Sequence, residues 1–160
     1  LSKITNELSK LYILLEKGTA INEIHIEQNI GISKDYNGFE LTNAVATNDL
    51  TKAYKIISYF EHNPKATSIV LIIGNLFTFY SRLMRIHFLP NKTKEAVAGA
   101  LKVHPYAAGE LINASRIYNP TKIAKNMEIL HDFDLRSKGV GDSSSTEGDL
   151  MREMIYSLMH

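Results

Sequence analysis

The 160-residue sequence contains no cysteine. This absence excludes disulfide bonds, thiolate metal sites and thiol nucleophiles, and it is compatible with a reducing compartment. The sequence also lacks both G-x-x-x-x-G-K-[ST] and G-x-G-x-x-G, the loops that cradle nucleotide phosphates. We therefore expect no nucleotide hydrolysis, no catalytic residue and no cofactor.

The chain also lacks an uninterrupted apolar run of the ~18 residues that a membrane span requires. The longest run, Ile69 to Ile73, is followed directly by Gly74 and Asn75. No secretory signal pattern precedes it. We therefore expect a cytoplasmic protein without a membrane partner. Because the sequence begins at Leu1 directly in helical periodicity, we expect it to be a fragment of a longer protein.

The composition, 44% hydrophobic and 22% charged, is that of a globular domain. The net charge is only +1, but residues 64–138 carry 11 basic and 5 acidic side chains, whereas the segments on either side are acidic. A basic middle favours weak DNA binding without sequence preference, pairing with acidic neighbours in a complex, or simply a solvated face.

Apolar residues recur at helical spacing along almost the whole chain, and Ser, Thr, Asn, Gly and Pro stand at the expected helix ends. The pattern predicts an all-α bundle of about nine helices and no strand. The predicted helices lie at 3–17, 22–31, 38–47, 50–62, 66–88, 93–101, 105–118, 120–138 and 150–159.

The helix predicted at 66–88 is apolar over more than one stripe, which is typical of a helix at the centre of a bundle or in an interface. We expect it to bury Ile73, Leu76, Phe77 and Tyr80, and we expect Gly74 to admit a closely packed neighbour. Apolar side chains outside that stripe and in the methionine-rich last helix are candidates for contacts with other proteins: Phe79, Phe88, Met151, Met154 and Met159.

Two motifs suggest other functions. The segment from Thr93 to Arg116 has the form of a helix-turn-helix, but its second helix offers few side chains that read bases, so a packed hairpin is the simpler interpretation. The dipeptide His131-Asp132 occurs in metal-dependent phosphohydrolases, but no other histidine has metal-ligand spacing. We therefore predict no metal site.

Several segments follow one another in a fixed order: Asn37 to Ala44, Asp49 to Ala53, Ser68 to Tyr80, Lys102 to Tyr106, and Asp132 to Gly139. This order resembles the C-terminal half of the delta subunit of bacterial DNA polymerase III, a component of the sliding-clamp loader. The residues that match the family's motifs, or that mark the helix ends within them, are Phe39, Asp49, Ala53, Pro105, Tyr106, Asp134 and Lys138. Asp134 and Lys138 are also spaced for an ion pair on one helix face.

The resemblance implies that residues 1–31 end a small helical lid domain and that residues 36–160 form a collar, or oligomerisation, domain. In that family, the collar domains of delta, delta-prime and the ATPase subunits pack as a ring. The delta subunit binds the sliding clamp through an N-terminal domain that would precede Leu1. The resemblance thus implies a non-catalytic assembly module, and the alternatives are a helix-turn-helix regulator and an unrelated helical domain.

Overall fold

The computed structural model describes residues 2–15, 18–21, 25, 36–141 and 144–160, and all regular secondary structure in these residues is helical. This confirms the predicted all-α class. The helix predicted at 22–31 lies, except for His25, outside the described residues. The eight helices are α1 (Ser2–Leu14), α2 (Gly38–Ala46), α3 (Leu50–His62), α4 (Ile69–His87), α5 (Lys94–Leu101), α6 (Pro105–Ile117), α7 (Pro120–Ser137) and α8 (Glu147–Met159).

The chain divides into two compact units, Leu1–Asn37 and Gly38–His160. In the first unit, α1 ends at Leu14, earlier than the predicted end at residue 17, and Leu11 is buried while Tyr12 and Ile13 are exposed. The second unit contains the other seven helices. The assignment of 1–31 to a lid and of 36–160 to a collar stays a prediction.

Side-chain caps fix the starts of the helices in the second unit. Asp49 and Asn119 accept hydrogen bonds from backbone N–H groups three residues later, at 2.9 and 2.8 Å. Ser68 caps α4 in the same way at 3.4 Å, so this helix begins at Ile69 rather than at the predicted residue 66. Each cap satisfies a backbone donor that has no partner within the helix.

Helix α4 is the centre of the second unit, since it packs against α2, α6, α7 and α8. The predicted central position is therefore confirmed, as is the burial of Ile73, Leu76 and Tyr80. The predicted burial of Phe77 is wrong, because this side chain is 50% exposed. Phe77 lies about 100° around the helix from Leu76, which turns it out of the arc that the four neighbours cover.

Hydrogen bonds between buried polar groups join α2, α4, α7, α8 and the end of α6 in the second unit. Asn126 on α7 donates from Nδ2 to the Tyr80 hydroxyl at 2.8 Å and to the Leu158 carbonyl at 3.1 Å. The Tyr118 hydroxyl donates to the Val45 carbonyl at 2.7 Å. Because buried polar groups cost free energy unless they are paired, these bonds specify how the helices fit together.

Helix α8 buries its methionines within the second unit, against α3 and α7. The sequence predicts an adaptable contact surface at Met151, Met154 and Met159, but all three side chains are buried. That expectation of exposure is wrong. The methionines lie on the same side of the helix as Leu150, Ile155 and Leu158, which the chain's own core requires.

By length and composition, α4 is the one helix among the described residues that could cross a membrane. A single helix of this kind is weak evidence, because the core helix of a bundle meets the same criteria. The uninterrupted apolar run ends at Ile73, but the helix that contains it continues to His87. The length of the run alone therefore underestimates how much of this helix is apolar. Its four packed neighbours explain this apolar character without a membrane.

Candidate interaction surfaces

Three of the family-signature residues stabilise helices of the second unit. Asp49 is the N-cap of α3, Ala53 is fully buried on the same helix, and Pro105 is the first residue of α6. Proline suits that position because its missing N–H would have no partner in the first turn. In these positions the three residues have structural roles in the bundle.

Asp134 and Lys138 form the predicted ion pair near the end of α7, with Lys138 Nζ 2.6 Å from Asp134 Oδ2. This contact is confirmed. Both side chains are at the surface, where water and salt screen the attraction, so the pair contributes only a few tenths of a kcal/mol, about 0.3–0.5.

The two aromatic signature residues, Phe39 on α2 and Tyr106 on α6, are exposed. They line two clefts on the side of the bundle where α2 meets α6. Tyr106 belongs to a cleft of about 770 Å³ between these helices. Phe39 belongs to a cleft of about 360 Å³ that also reaches α4. Both clefts are open surface features, suited to contact with a macromolecule.

The larger cleft has an excess of positive charge, and we call it the basic cleft. Its charged and aromatic side chains are Lys92, Lys94, Arg116, Tyr106 and Glu110. In the described part of the chain, no carboxylate forms an ion pair with the three cations. The Glu110 carboxylate accepts a hydrogen bond from Tyr106, which raises the pKa of that phenol above its ordinary value. The basic cleft can therefore attract an anionic ligand.

A second surface is the side of α4 that points away from its four neighbours, and we call it the outer face of α4. Its members are exposed residues that share one arc of the helix: Val70, Leu71, Gly74, Phe77, Thr78, Arg82 and Arg85. The first half of this face is apolar, with Val70 52% and Leu71 57% exposed. The second half is cationic. An apolar helix face exposed next to a packed core is typical of an interface.

No part of the described chain supplies the close neighbour that the sequence predicts at Gly74, and a neighbour from another protein stays a prediction. A Cβ atom at this position would meet nothing within 4 Å. Gly74 lies on the outer face of α4, where its lack of a side chain leaves a notch between Leu71 and Phe77. The smallness of this residue therefore has no explanation in the packing of the chain itself.

The two aromatic residues of the α4 region that the sequence offers as contact residues differ in position. Phe88 follows α4 and is 77% exposed, whereas Phe79 is buried and packs edge to face on Tyr118. Phe79 lies on the buried arc of α4, so it is a core residue. A contact role for Phe88 stays a prediction.

The alternative motifs find little support in the structure. Helices α5 and α6 pack on each other as a hairpin, and α6 turns Ala108, Leu111 and Ala114 into the core. Among the described residues, no group of three or more His, Cys, Asp or Glu side chains could hold a metal ion. Both His131 and Asp132 point to solvent.

Sequence reasoning missed the basic cleft. It predicted an apolar contact surface on the helix at 66–88 but named Phe79 and Phe88 rather than the residues of the outer face of α4. The cations of the cleft come from a loop, from α5 and from the end of α6, so their spacing in the sequence carries no common pattern. The outer face did leave a signal, because α4 contains no acidic residue and has apolar side chains around most of its circumference.

Comparison with known proteins gives one family match and a similar solved structure. A family model described as the DNA polymerase III delta subunit, C-terminal domain, matches residues 35–154. Among solved structures, the Bacillus subtilis DNA clamp loader delta protein (YqeN) is similar in fold, with a TM-score of 0.59 and 18% sequence identity. The similarity covers 99% of this chain and 46% of that one, so the chain spans less than half of its length. No curated protein matches.

Proposed function

We propose that the chain, which belongs to the family of C-terminal domains of the DNA polymerase III delta subunit, is an assembly module of a sliding-clamp loader. The observation that carries this proposal is the family match over residues 35–154, which includes the whole second unit except part of α8. In this function the chain holds subunits together and catalyses no reaction. It would act in the cytoplasm as part of the DNA replication machinery.

The partners we propose are the ATPase subunits of the loader and its delta-prime subunit. The outer face of α4 supports a role in assembly, because it leaves Val70, Leu71 and Phe77 in water although the apolar side chains on the other side of the helix are buried. Burying such side chains against another protein is favourable by about 25 cal/mol per Å² of apolar surface. We propose that the sliding clamp meets the loader through a different domain of the delta subunit.

Helix-turn-helix regulation of transcription is not favoured. The residues that suggest it, Thr93 to Arg116, fall inside the family match. A DNA-reading helix would also present arginine, lysine or amide side chains near its first turn. Helix α6 begins there with Pro105, Tyr106 and two alanines.

The test is co-elution with purified ATPase subunits of a clamp loader in size-exclusion chromatography. We expect the chain to join the ATPase subunits in one peak, to show no ATP turnover alone, and to elute separately from the sliding clamp. An opposite pattern, tight binding to the clamp without binding to the ATPase subunits, would show that the proposed function is wrong.

A further inference from the structure

The outer face of α4 has two halves of different chemistry. Near the start of the helix, Val70, Leu71 and Phe77 form an apolar surface around the notch at Gly74. Near its end, Arg82 and Arg85 are exposed on the same arc. A surface with this order of apolar and charged groups matches one side of an amphipathic helix.

The presence of glycine at position 74 is not explained by contacts within the described chain. A glycine within a helix costs roughly 1 kcal/mol relative to alanine. Its backbone is helical rather than left-handed, and a Cβ atom would contact nothing. No feature of the described structure therefore needs a glycine here. A helix that crosses α4 at this point would need it, because the missing side chain lets two backbones approach closely or admits an apolar side chain.

The two arginines define the charge of the partner. Neither Arg82 nor Arg85 belongs to an ion pair in the part of the chain that the structure describes. Arg85 donates from Nη2 to the Ala100 carbonyl at 2.7 Å, a contact that leaves its charge unneutralised. Helix α4 itself contains no Asp or Glu. Carboxylates on the partner would complement this end of the face.

Charge also defines the direction of the partner helix. Acidic side chains are most favourable in the first turn of a helix, where the macrodipole is positive. Arg82 and Arg85 lie in the last two turns of α4. A partner whose acidic first turn meets these arginines therefore runs antiparallel to α4, and its apolar side chains then pass over Gly74.

We infer that the outer face of α4 docks an amphipathic helix of a clamp-loader ATPase subunit, antiparallel to α4, with apolar side chains over Gly74 and carboxylates against Arg82. This inference rests on the proposed function and assigns the assembly contact to one surface. The sequence predicts contacts both on the helix at 66–88, through Phe79 and Phe88, and on the methionines of the last helix. The inference keeps the contact on α4 but assigns it to other residues of that helix.

Gly74→Leu is the informative substitution, because it fills the notch without disturbing the core. Leucine is a better helix former than glycine and has open space at this position, so the chain should fold at least as stably. Gly99→Leu on α5 is the matched control. That residue is also an exposed helical glycine at which a Cβ atom would meet nothing within 4 Å. It belongs to a different helix from the notch at Gly74, although the adjacent Ala100 carbonyl accepts a hydrogen bond from Arg85.

Each variant is titrated with the ATPase subunits and compared with the unaltered chain, and thermal unfolding followed by circular dichroism verifies folding. We expect Gly74→Leu to weaken association at least about tenfold and Gly99→Leu to leave it unchanged within about twofold. Arg82→Glu should also weaken association, more at low salt than at high salt, whereas Lys125→Glu on α7 should not.

The outcomes separate the two proposals. If the unaltered chain does not associate with the ATPase subunits, the proposed function fails and this inference fails with it. If the unaltered chain associates and Gly74→Leu associates equally well, only the inference is overturned. Formation of a dimer of the chain that Gly74→Leu abolishes would also overturn it, because the occupant of the face would then be a second copy.

Discussion

Asn126 is the polar residue that the described core encloses, at 2% exposure, and its position shows how one side chain can link several helices. Its amide group donates to Tyr80 on α4 and to the backbone of α8. No described buried side-chain polar atom lacks a hydrogen-bond partner. The core thus combines apolar packing with one fully paired polar cluster, and single substitutions there should have specific costs.

Leu76→Ala tests the placement of α4 at the centre. Leu76 is fully buried, so its truncation removes apolar contacts and leaves a cavity, and we expect the free energy of unfolding to fall by ~2–5 kcal/mol. Urea unfolding followed by circular dichroism measures this change. Leu71→Ala on the exposed side of the same helix is the control. A decrease below ~1 kcal/mol for Leu76→Ala would contradict the central position.

Alkaline pH tests the buried tyrosines. Burial raises the pKa of Tyr118 to about 12, and it also raises the pKa of Tyr80. Because the folded state disfavours the charged phenolates, their contribution to stability is complete below the ordinary tyrosine pKa of about 10 and is lost as pH rises through the folded value.

We therefore expect the free energy of unfolding to decrease above about pH 10 and to keep decreasing toward about pH 12. Urea unfolding at several pH values in this range measures it. Tyr118→Phe should lower stability at neutral pH, since the Val45 carbonyl loses its donor, and should also flatten the alkaline decrease. If the stability of this variant depended on pH in the same way as that of the unaltered chain, Tyr118 would not contribute to the alkaline decrease.

Helices in this protein are delimited by local capping and positioned by their apolar arcs. Asn119 Oδ1 accepts from the Lys122 N–H at 2.8 Å, and Pro120 occupies the next position, so α7 starts at a defined residue. The inward side of α7 then carries Ile123, Asn126 and Leu130 into the core. A change at the cap should therefore lower the stability of the whole helix.

Asn119→Ala removes this cap. We expect it to lower the free energy of unfolding by ~0.5–2 kcal/mol, because the Lys122 N–H loses its side-chain acceptor. Asn119→Asp, which keeps an acceptor at the same place, is the control and should be close to neutral. Equal stability of the two variants in urea unfolding would mean that the cap contributes nothing measurable.

The whole molecule carries a net charge of only +1, yet its cations are concentrated in residues 64–138. Ion pairs neutralise part of this excess, for example between Arg136 and Glu153. The basic cleft keeps its cations unpaired within the described residues. Phosphate groups would be attracted to such a surface, but the cleft offers no ordered set of side chains that could distinguish bases.

We therefore expect weak DNA binding that depends on salt and not on sequence. Replacement of Lys92, Lys94 and Arg116 together by glutamine should reduce the slope of log K against log salt by about 0.9 for each phosphate that the variant no longer neutralises. Fluorescence anisotropy at several salt concentrations measures the slope, and Lys125→Gln is the control. A preference of more than about a thousandfold for one duplex over random duplex would contradict this expectation.

Several properties followed from the sequence by itself. Helical periodicity and the capping residues predicted the all-α class and the start of α7, because these depend on interactions within a few residues of the chain. The central place of α4 was predicted from its apolar side chains, which cover more than one stripe and therefore need neighbours on several sides. The order of motifs from Asn37 to Gly139 identified the delta-subunit family. This order can be read from the sequence alone, without knowing which residues are in contact. The spacing of Asp134 and Lys138 predicted their ion pair for the same reason.

Only the tertiary structure decided which apolar side chains face outward. Phe77 and Phe79 are two residues apart in the same apolar helix, and the placement of α2, α6, α7 and α8 around α4 exposes one and buries the other. The methionines of α8 are buried for the same reason. Exposure of Gly74 and the gathering of Lys92, Lys94 and Arg116 into one cleft depend on packing between helices distant in sequence. No local pattern encodes such contacts.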